Sequence, residues 1–254
     1  MVLKFGIRRA YPERGGWDWA ASLEGYTAIE LAFHKPELFH SVRKQDVIGP
    51  LKERAIDVLS VHLPDQPVTR FGEFKSVFNK SLELALELDC HTLVVHPSYG
   101  SLDRVRREIE RSIDPELERS DSYLCWETFE SRRRILSGIE GIAAYCVQTA
   151  RHRACYDFSH IIARPGMDIN GTVLEQLERY ASVIKVFHLS NQRQRDGNIE
   201  LRHHPVWHPD CDIDFDSIFG LLKLRGAIVL EYLQQFHAQA LGDVALVEKA
   251  LVVT

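Results

Sequence analysis

Eight short apolar runs, each followed by a stretch of helical spacing, constrain this chain more than any other feature. The runs cover residues 3–8, 28–33, 56–62, 92–96, 123–127, 154–158, 183–188 and 227–231. Helical patterns follow from about Asp18 and over 42–54, 71–88, 103–111, 133–151, 172–181, 214–224 and 238–250. Strands that are apolar almost throughout belong to a parallel sheet buried on both faces, and helices alternating with them supply the cover. Eight such units of roughly 32 residues each match a (β/α)8 barrel, an α/β fold typically of about 250 residues. No repeat, low-complexity tract or linker divides the 254 residues, so a single barrel domain over 1–254 is expected. Two long loops interrupt the rhythm. Residues 112–121 precede the fifth strand, and 190–213 follow the seventh, on the face where barrel enzymes work.

Composition excludes several classes. Gly and Pro are too scarce for a collagen-like or disordered chain, and no apolar stretch is long enough to span a membrane. The first residues have too short an apolar segment for a secretory signal. Five cysteines, odd in number and without a Cys-x-x-Cys pair, argue against a disulfide framework or a cysteine zinc ribbon. Reduced cysteines in a cytoplasmic protein are expected instead. A net charge of −5 argues against nucleic acid, although a local basic patch is compatible with it. Two short, hydrophobic-rich helices offer a surface for a homo-oligomer, but nothing in the pattern fixes assembly.

The chemistry-bearing residues gather at the strand ends. His62, His96, Glu127, Asp157 with His160, His188 and Glu231 sit at or just past the ends of runs three to eight. In a parallel barrel those ends meet at one rim. Carboxylates packed so closely repel one another and call for a cation. Mixed histidine and carboxylate ligands suit manganese or zinc first, with magnesium or cobalt next. Each residue alone has a plainer explanation. A lone histidine after a strand is usually a hydrogen-bonded structural residue. His96-Pro97 could simply end a strand, and Asp157 could cap a helix. Glu127 and Glu231 are harder to explain away, because apolar neighbours leave them no obvious solvated face. The joint pattern carries more than any member.

The loop after the seventh strand holds His203, His204 and His208, and the sequence does not choose among them as ligand or substrate contact. Asp214 reads best as the cap of the next helix. Arg193 and Arg195 could bind a phosphate, carboxylate or sugar hydroxyl, or stand solvated. Trp126, Trp207, His34 and Lys35 are candidate pocket walls.

These pieces resemble a known family. Gly25-Tyr-Thr-Ala-Ile-Glu-Leu, Val61-His-Leu-Pro, Val94-Val-His-Pro, Cys125-Trp-Glu-Thr, Asp157-Phe-Ser-His, Phe187-His-Leu-Ser-Asn, His203-His-Pro and Leu230-Glu-Tyr occur in the order seen in the xylose isomerase-like barrel superfamily. That superfamily holds sugar and sugar-phosphate isomerases and epimerases and the endonuclease IV branch. The epimerase resemblance implies one divalent metal on Glu127, Asp157, His188 and Glu231, with His160 and Arg193 or Arg195 as substrate contacts. It implies a substrate carbonyl and hydroxyl bound to the metal, an enediolate stabilised there, and Glu127 and Glu231 moving the proton. The endonuclease resemblance implies three zinc ions. His62 and His96 would join Glu127, and His160 and His203 would need one further aspartate. Two residues before the histidine the chain has Leu201 or Arg202, which puts the third metal in doubt.

The expectation is therefore a metal-dependent isomerase or epimerase of a small sugar, sugar phosphate or polyol ketone. A multi-zinc phosphodiesterase is the alternative, and a non-catalytic binding barrel is a third.

Overall fold

The computed structural model describes residues 3–12, 18–130, 134–136, 138–221 and 226–252. The elements are β1 (Lys4–Ala10), β2 (Ala28–Ala32), α1 (Pro36–Phe39), α2 (Lys44–Glu53), β3 (Asp57–His62), α3 (Phe71–Glu87), β4 (Thr92–Val95), α4 (Asp103–Ser112), α5 (Asp114–Arg119), β5 (Tyr123–Glu127), α6 (Gly138–Cys146), β6 (His152–Asp157), α7 (Ile169–Tyr180), β7 (Ile184–Leu189), β8 (Asn191–Arg195), β9 (Asn198–His204), α8 (Phe215–Leu221), β10 (Ala227–Leu230) and α9 (His237–Val252). Eight of the strands close into a barrel in the order β1-β10-β7-β6-β5-β4-β3-β2, every pairing parallel. This is the (β/α)8 TIM barrel that the rhythm of the sequence predicts.

The period of two along each strand builds the barrel's inside in layers. Val94, Cys125, Cys155, Val186 and Val229 form one buried interior cluster. Two residues on along each chain stand His96, Glu127, Asp157, His188 and Glu231. The apolar cluster is thus a floor, and the polar residues form the layer resting on it. The residues between, such as Leu124, Trp126, Tyr156, Phe187 and Leu230, face outward into the main core under the helices.

Four local expectations change. The helix from about Asp18 is a single 3₁₀ turn, Ala21–Leu23, in the described residues. The stretch 112–121 is not a loop: it carries α5, with Pro115 in its first turn where a missing N–H costs nothing. The stretch 190–213 opens with the antiparallel hairpin β8–β9. Its turn residues Asp196 and Gly197 have φ of 51° and 74°, the left-handed pair that a tight hairpin demands. Of the helix expected over 133–151, only Gly138–Cys146 is helical among the described residues: 134–136 and 147–151 are not helical, and Arg133 and Ser137 lie outside the described residues, as does the end of the helix expected over 214–224. Asp214 does cap α8, accepting the Ser217 N–H at 3.2 Å. The five cysteines are free, four of them buried. No helix among the described residues is long and apolar enough to cross a membrane.

Candidate metal centre

Among the described residues, three overlapping sets of side chains bring possible ligand atoms within 4.8 Å of one another at the C-terminal rim of the strands. The central set is Glu127, Asp157, His188 and Glu231. A second is His62, His96 and Glu127, and a third is Asp157, His160 and His203. Glu127 and Asp157 each belong to two sets, so the three form one continuous ring.

Glu127 is fully buried. Its Oε2 lies 2.8 Å from His62 Nε2 and 3.1 Å from His96 Nε2, and its Oε1 lies 3.1 Å from His160 Nδ1. Burial pushes its pKa up, but the charge of His96 and the close approach of the surrounding histidines outweigh burial and hold it well below the usual range. For His96 burial acts downward, yet Glu127 and Asp65 raise its pKa to about 9. Asp157 moves the other way: burial raises it in spite of His160. Its Oδ1 accepts from the Ser159 N–H at 2.7 Å and the Ser159 hydroxyl at 2.9 Å, which turns Oδ2 toward the ring.

Two groups that the sequence reading missed complete the ring. Glu30, on β2, is fully buried inside the barrel. Its Oε2 accepts the Ser60 hydroxyl at 2.6 Å and lies 3.1 Å from His188 Nε2. His188 therefore donates from Nε2 to Glu30, which turns Nδ1 toward the ring, 2.8 Å from Glu231 Oε2. Arg8, on β1, lies against Glu231 and 3.8 Å from Glu30. Burial alone would lower its pKa; Glu231, Glu30 and Glu127 raise it, so it is a permanent cation. The signals were present: Glu30 is a lone carboxylate in Ala-Ile-Glu-Leu-Ala, and Arg8 ends the apolar run Phe5-Gly6-Ile7.

The donor set fits a divalent cation. Glu127 Oε1, Asp157 Oδ2, His160 Nδ1, His188 Nδ1 and Glu231 Oε2 are all buried without a hydrogen-bond partner. All five residues belong to the ring, and buried acceptor atoms left unpaired in one place are what a cation would satisfy. His62 points the same way. Its Nδ1 donates to the Leu63 carbonyl at 3.0 Å, so its Nε2 faces Glu127 as a lone pair. Burial and Arg8 depress its pKa, which keeps it neutral.

A cavity of about 570 Å³ adjoins the ring, with Glu231 and His203 in its wall. His203 holds a left-handed backbone at φ 54°, unusual for a residue with a side chain. This turn brings Nδ1 to 3.2 Å from Ser159 Oγ and 3.8 Å from Glu231 Oε1.

Residues 17–244 match the family model described as xylose isomerase-like TIM barrel. The chain belongs to that family. Solved structures of similar fold include a D-tagatose 3-epimerase-like protein (17% identity, TM-score 0.71, covering 98% of each chain). The IolI protein with a bound zinc atom aligns at 13% identity and TM-score 0.68, over 97% of this chain and 98% of that one. An AP endonuclease, family 2, from Brucella melitensis aligns at 14% and 0.64, over 90% and 92%. No curated protein matches the sequence significantly.

In this xylose isomerase-like barrel the strand-end residues converge as expected, and His203 is the loop histidine that joins them. His204 and His208 pack on each other and on Phe236 instead. Four expected substrate contacts lie elsewhere. Trp126 is fully buried under the helices, donating to His152 Nδ1 at 2.9 Å, because its neighbour Glu127 takes the inward position. Trp207 donates to Asp216 and packs on Phe219. Arg193 pairs with Glu200 of its own hairpin at 3.1 Å, and Arg195 is 3.7 Å from the same carboxylate. His160 does face the ring, stacked on Phe129 at 4.0 Å. His34 and Lys35 line the cavity.

Proposed function

We propose that this chain is a divalent-metal-dependent isomerase or epimerase, moving a proton at the carbon beside a carbonyl in a small sugar, sugar phosphate or polyol ketone. One observation carries the reading: the central set, with its unpaired buried ligand atoms, shares Glu231 with the wall of a cavity sized for a small molecule. The epimerase-like and zinc-bound neighbours support it.

Glu127, Asp157, His188 and Glu231 would hold the ion, with manganese or zinc suited to the mixed donors. Bound there, it would polarise a substrate carbonyl and the adjacent hydroxyl and favour charge developing on oxygen. The chain's own groups do the rest. Glu30 fixes the His188 tautomer. Arg8 keeps Glu231 ionised, so Glu231 can accept a proton from the cavity side. Glu127 would return a proton that it draws from the charged His96 3.1 Å away, while Glu231 passes the abstracted proton to solvent. His160, braced by Phe129, is placed to donate to a substrate oxygen.

The test is hydrogen exchange in deuterated water, followed by NMR on a panel of ketoses, their phosphates and polyol ketones with manganese added. Exchange at the carbon beside the carbonyl is expected for at least one compound, and its loss in Glu231→Gln at full metal occupancy. Undiminished exchange in that variant sinks the base assignment.

A second reading has an observation of its own. Three ligand sets sharing Glu127 and Asp157 would suit a multi-zinc phosphodiesterase. Against it, the third set borrows Asp157, and Leu201 stands where a further carboxylate is needed. Elemental analysis separates the two: one tightly held ion per chain supports the isomerase, whereas three zinc ions with hydrolysis of a model phosphodiester support the hydrolase.

A further inference from the structure

The cavity beside the ring is charged on one side. Arg8, Arg9 and Lys35 stand in its wall, and among its described lining residues Glu231 is the one carboxylate. Glu231 is already matched by Arg8. Arg9 is in a different position. It is 8% exposed, yet its described partners are all neutral. Nη1 donates to His237 Nδ1 at 2.8 Å and Nη2 to the Ser22 carbonyl at 3.0 Å, and the guanidinium lies 5.0 Å from the centre of the Tyr26 ring. Nε is buried with no hydrogen-bond partner. His237 accepts because its own Nε2 donates to the Tyr232 carbonyl at 3.1 Å, and burial together with Arg9 keeps the ring neutral.

A buried guanidinium with no counter-ion among the described residues is costly until an anion pairs with it. The neutral contacts orient Arg9 without using its charge. His237 also begins α9, so the positive end of a 16-residue helix abuts the same wall.

We propose that the wall around Arg9 is an anion subsite, which takes a carboxylate or phosphate at one end of the substrate while the other end reaches the ring at Glu231 and His203. The second half of that statement rests on the isomerase reading; the subsite itself rests on Arg9 and its surroundings.

The test therefore uses full-length protein stripped of metal with EDTA. Calorimetric titrations with inorganic phosphate, with glycolate and with glycerol are run on the wild type, Arg9→Gln, Arg9→Lys and Lys35→Gln. Zinc affinity is measured separately on each protein. At least one of the two anions is expected to bind the wild type tenfold or more tightly than Arg9→Gln, with Arg9→Lys between and glycerol silent. A stronger phosphate response identifies a phosphorylated substrate, and a stronger glycolate response a carboxylate. Zinc affinity should stay within threefold across the set. No anion binding to the metal-free wild type, or equal binding by Arg9→Gln, overturns the proposal. Should Arg9→Gln fail to fold, Lys35→Gln decides: a loss of threefold or more is expected, and unchanged affinity overturns it. Failure of the wild type to bind zinc would sink the metal centre and leave the anion result standing.

Discussion

Glu30 offers the sharpest test of how the ring is held, because its shortest contact with a proposed ligand is the one to His188. Its carboxylate accepts from Ser60 at 2.6 Å and from His188 at 3.1 Å, inside a fully buried pocket. Glu30→Gln keeps the shape and removes the charge. The His188 bond then falls from a charge-assisted one, worth about 1.5–3 kcal/mol, to a neutral one of about 0.5–1.5 kcal/mol. The difference, about 1–1.5 kcal/mol, lowers the basicity of Nδ1 and frees the ring to rotate. Loss of a carboxylate behind a metal-bound histidine typically costs about 10–100-fold in metal affinity. Zinc affinity should therefore fall by about tenfold or somewhat more. Competition with a chromophoric chelator, on protein stripped and reloaded, measures it. Circular dichroism checks the fold, and Ser60→Ala, which leaves the charge in place, should cost less. A zinc affinity within threefold of wild type in folded Glu30→Gln would refute the role assigned to Glu30.

Other outcomes follow from the same structure. Trp126→Phe should leave metal affinity unchanged and cost about 1–3 kcal/mol in urea unfolding, since it strands His152 Nδ1 in the core; a change in metal affinity without loss of stability would place Trp126 at the site after all. Gly226→Ala should lower the melting temperature sharply or prevent folding, because φ is +135° and a Cβ would lie 2.4 Å from the Lys185 carbonyl oxygen; wild-type stability would contradict this. Asp214→Ala should cost about 1 kcal/mol at neutral pH. Hydrogen bonds from Ser217 lower the Asp214 pKa in the native state. Its contribution is therefore complete above the unfolded value of about 3.9 and fades as pH falls through the native value. Unfolding curves from pH 7 to 3 should show a constant gap that narrows at the acid end, and a gap that widens there would be inconsistent with the cap.

The strand-end residues were legible because two regularities coincide. A parallel barrel sends all strand ends to one rim, and alternation puts every second residue inside. Glu127, Asp157, His188 and Glu231 follow from those rules once the runs are found. Trp126 fails by the same rule applied one residue earlier, since a neighbour of an inward Glu must face out. The hairpin was also written in the chain, as Asp196-Gly197 between alternating residues, but its polar strands lack the apolar signature of the barrel. Pro115 marked the start of α5 in the same quiet way.

Local sequence determined which segments become strands and helices, and therefore that a ring of acids and imidazoles would form, because periodicity and turn chemistry act between near neighbours. Tertiary structure alone decided how the ring is wired. The pairing of Glu30 with His188, 158 positions apart, depends on strand order and register around the closed barrel. So do the contact of Arg8 with Glu231 and the contacts of Arg9 with neutral partners among the described residues. Charge partners of that kind are set by distances through space, which no window of sequence contains.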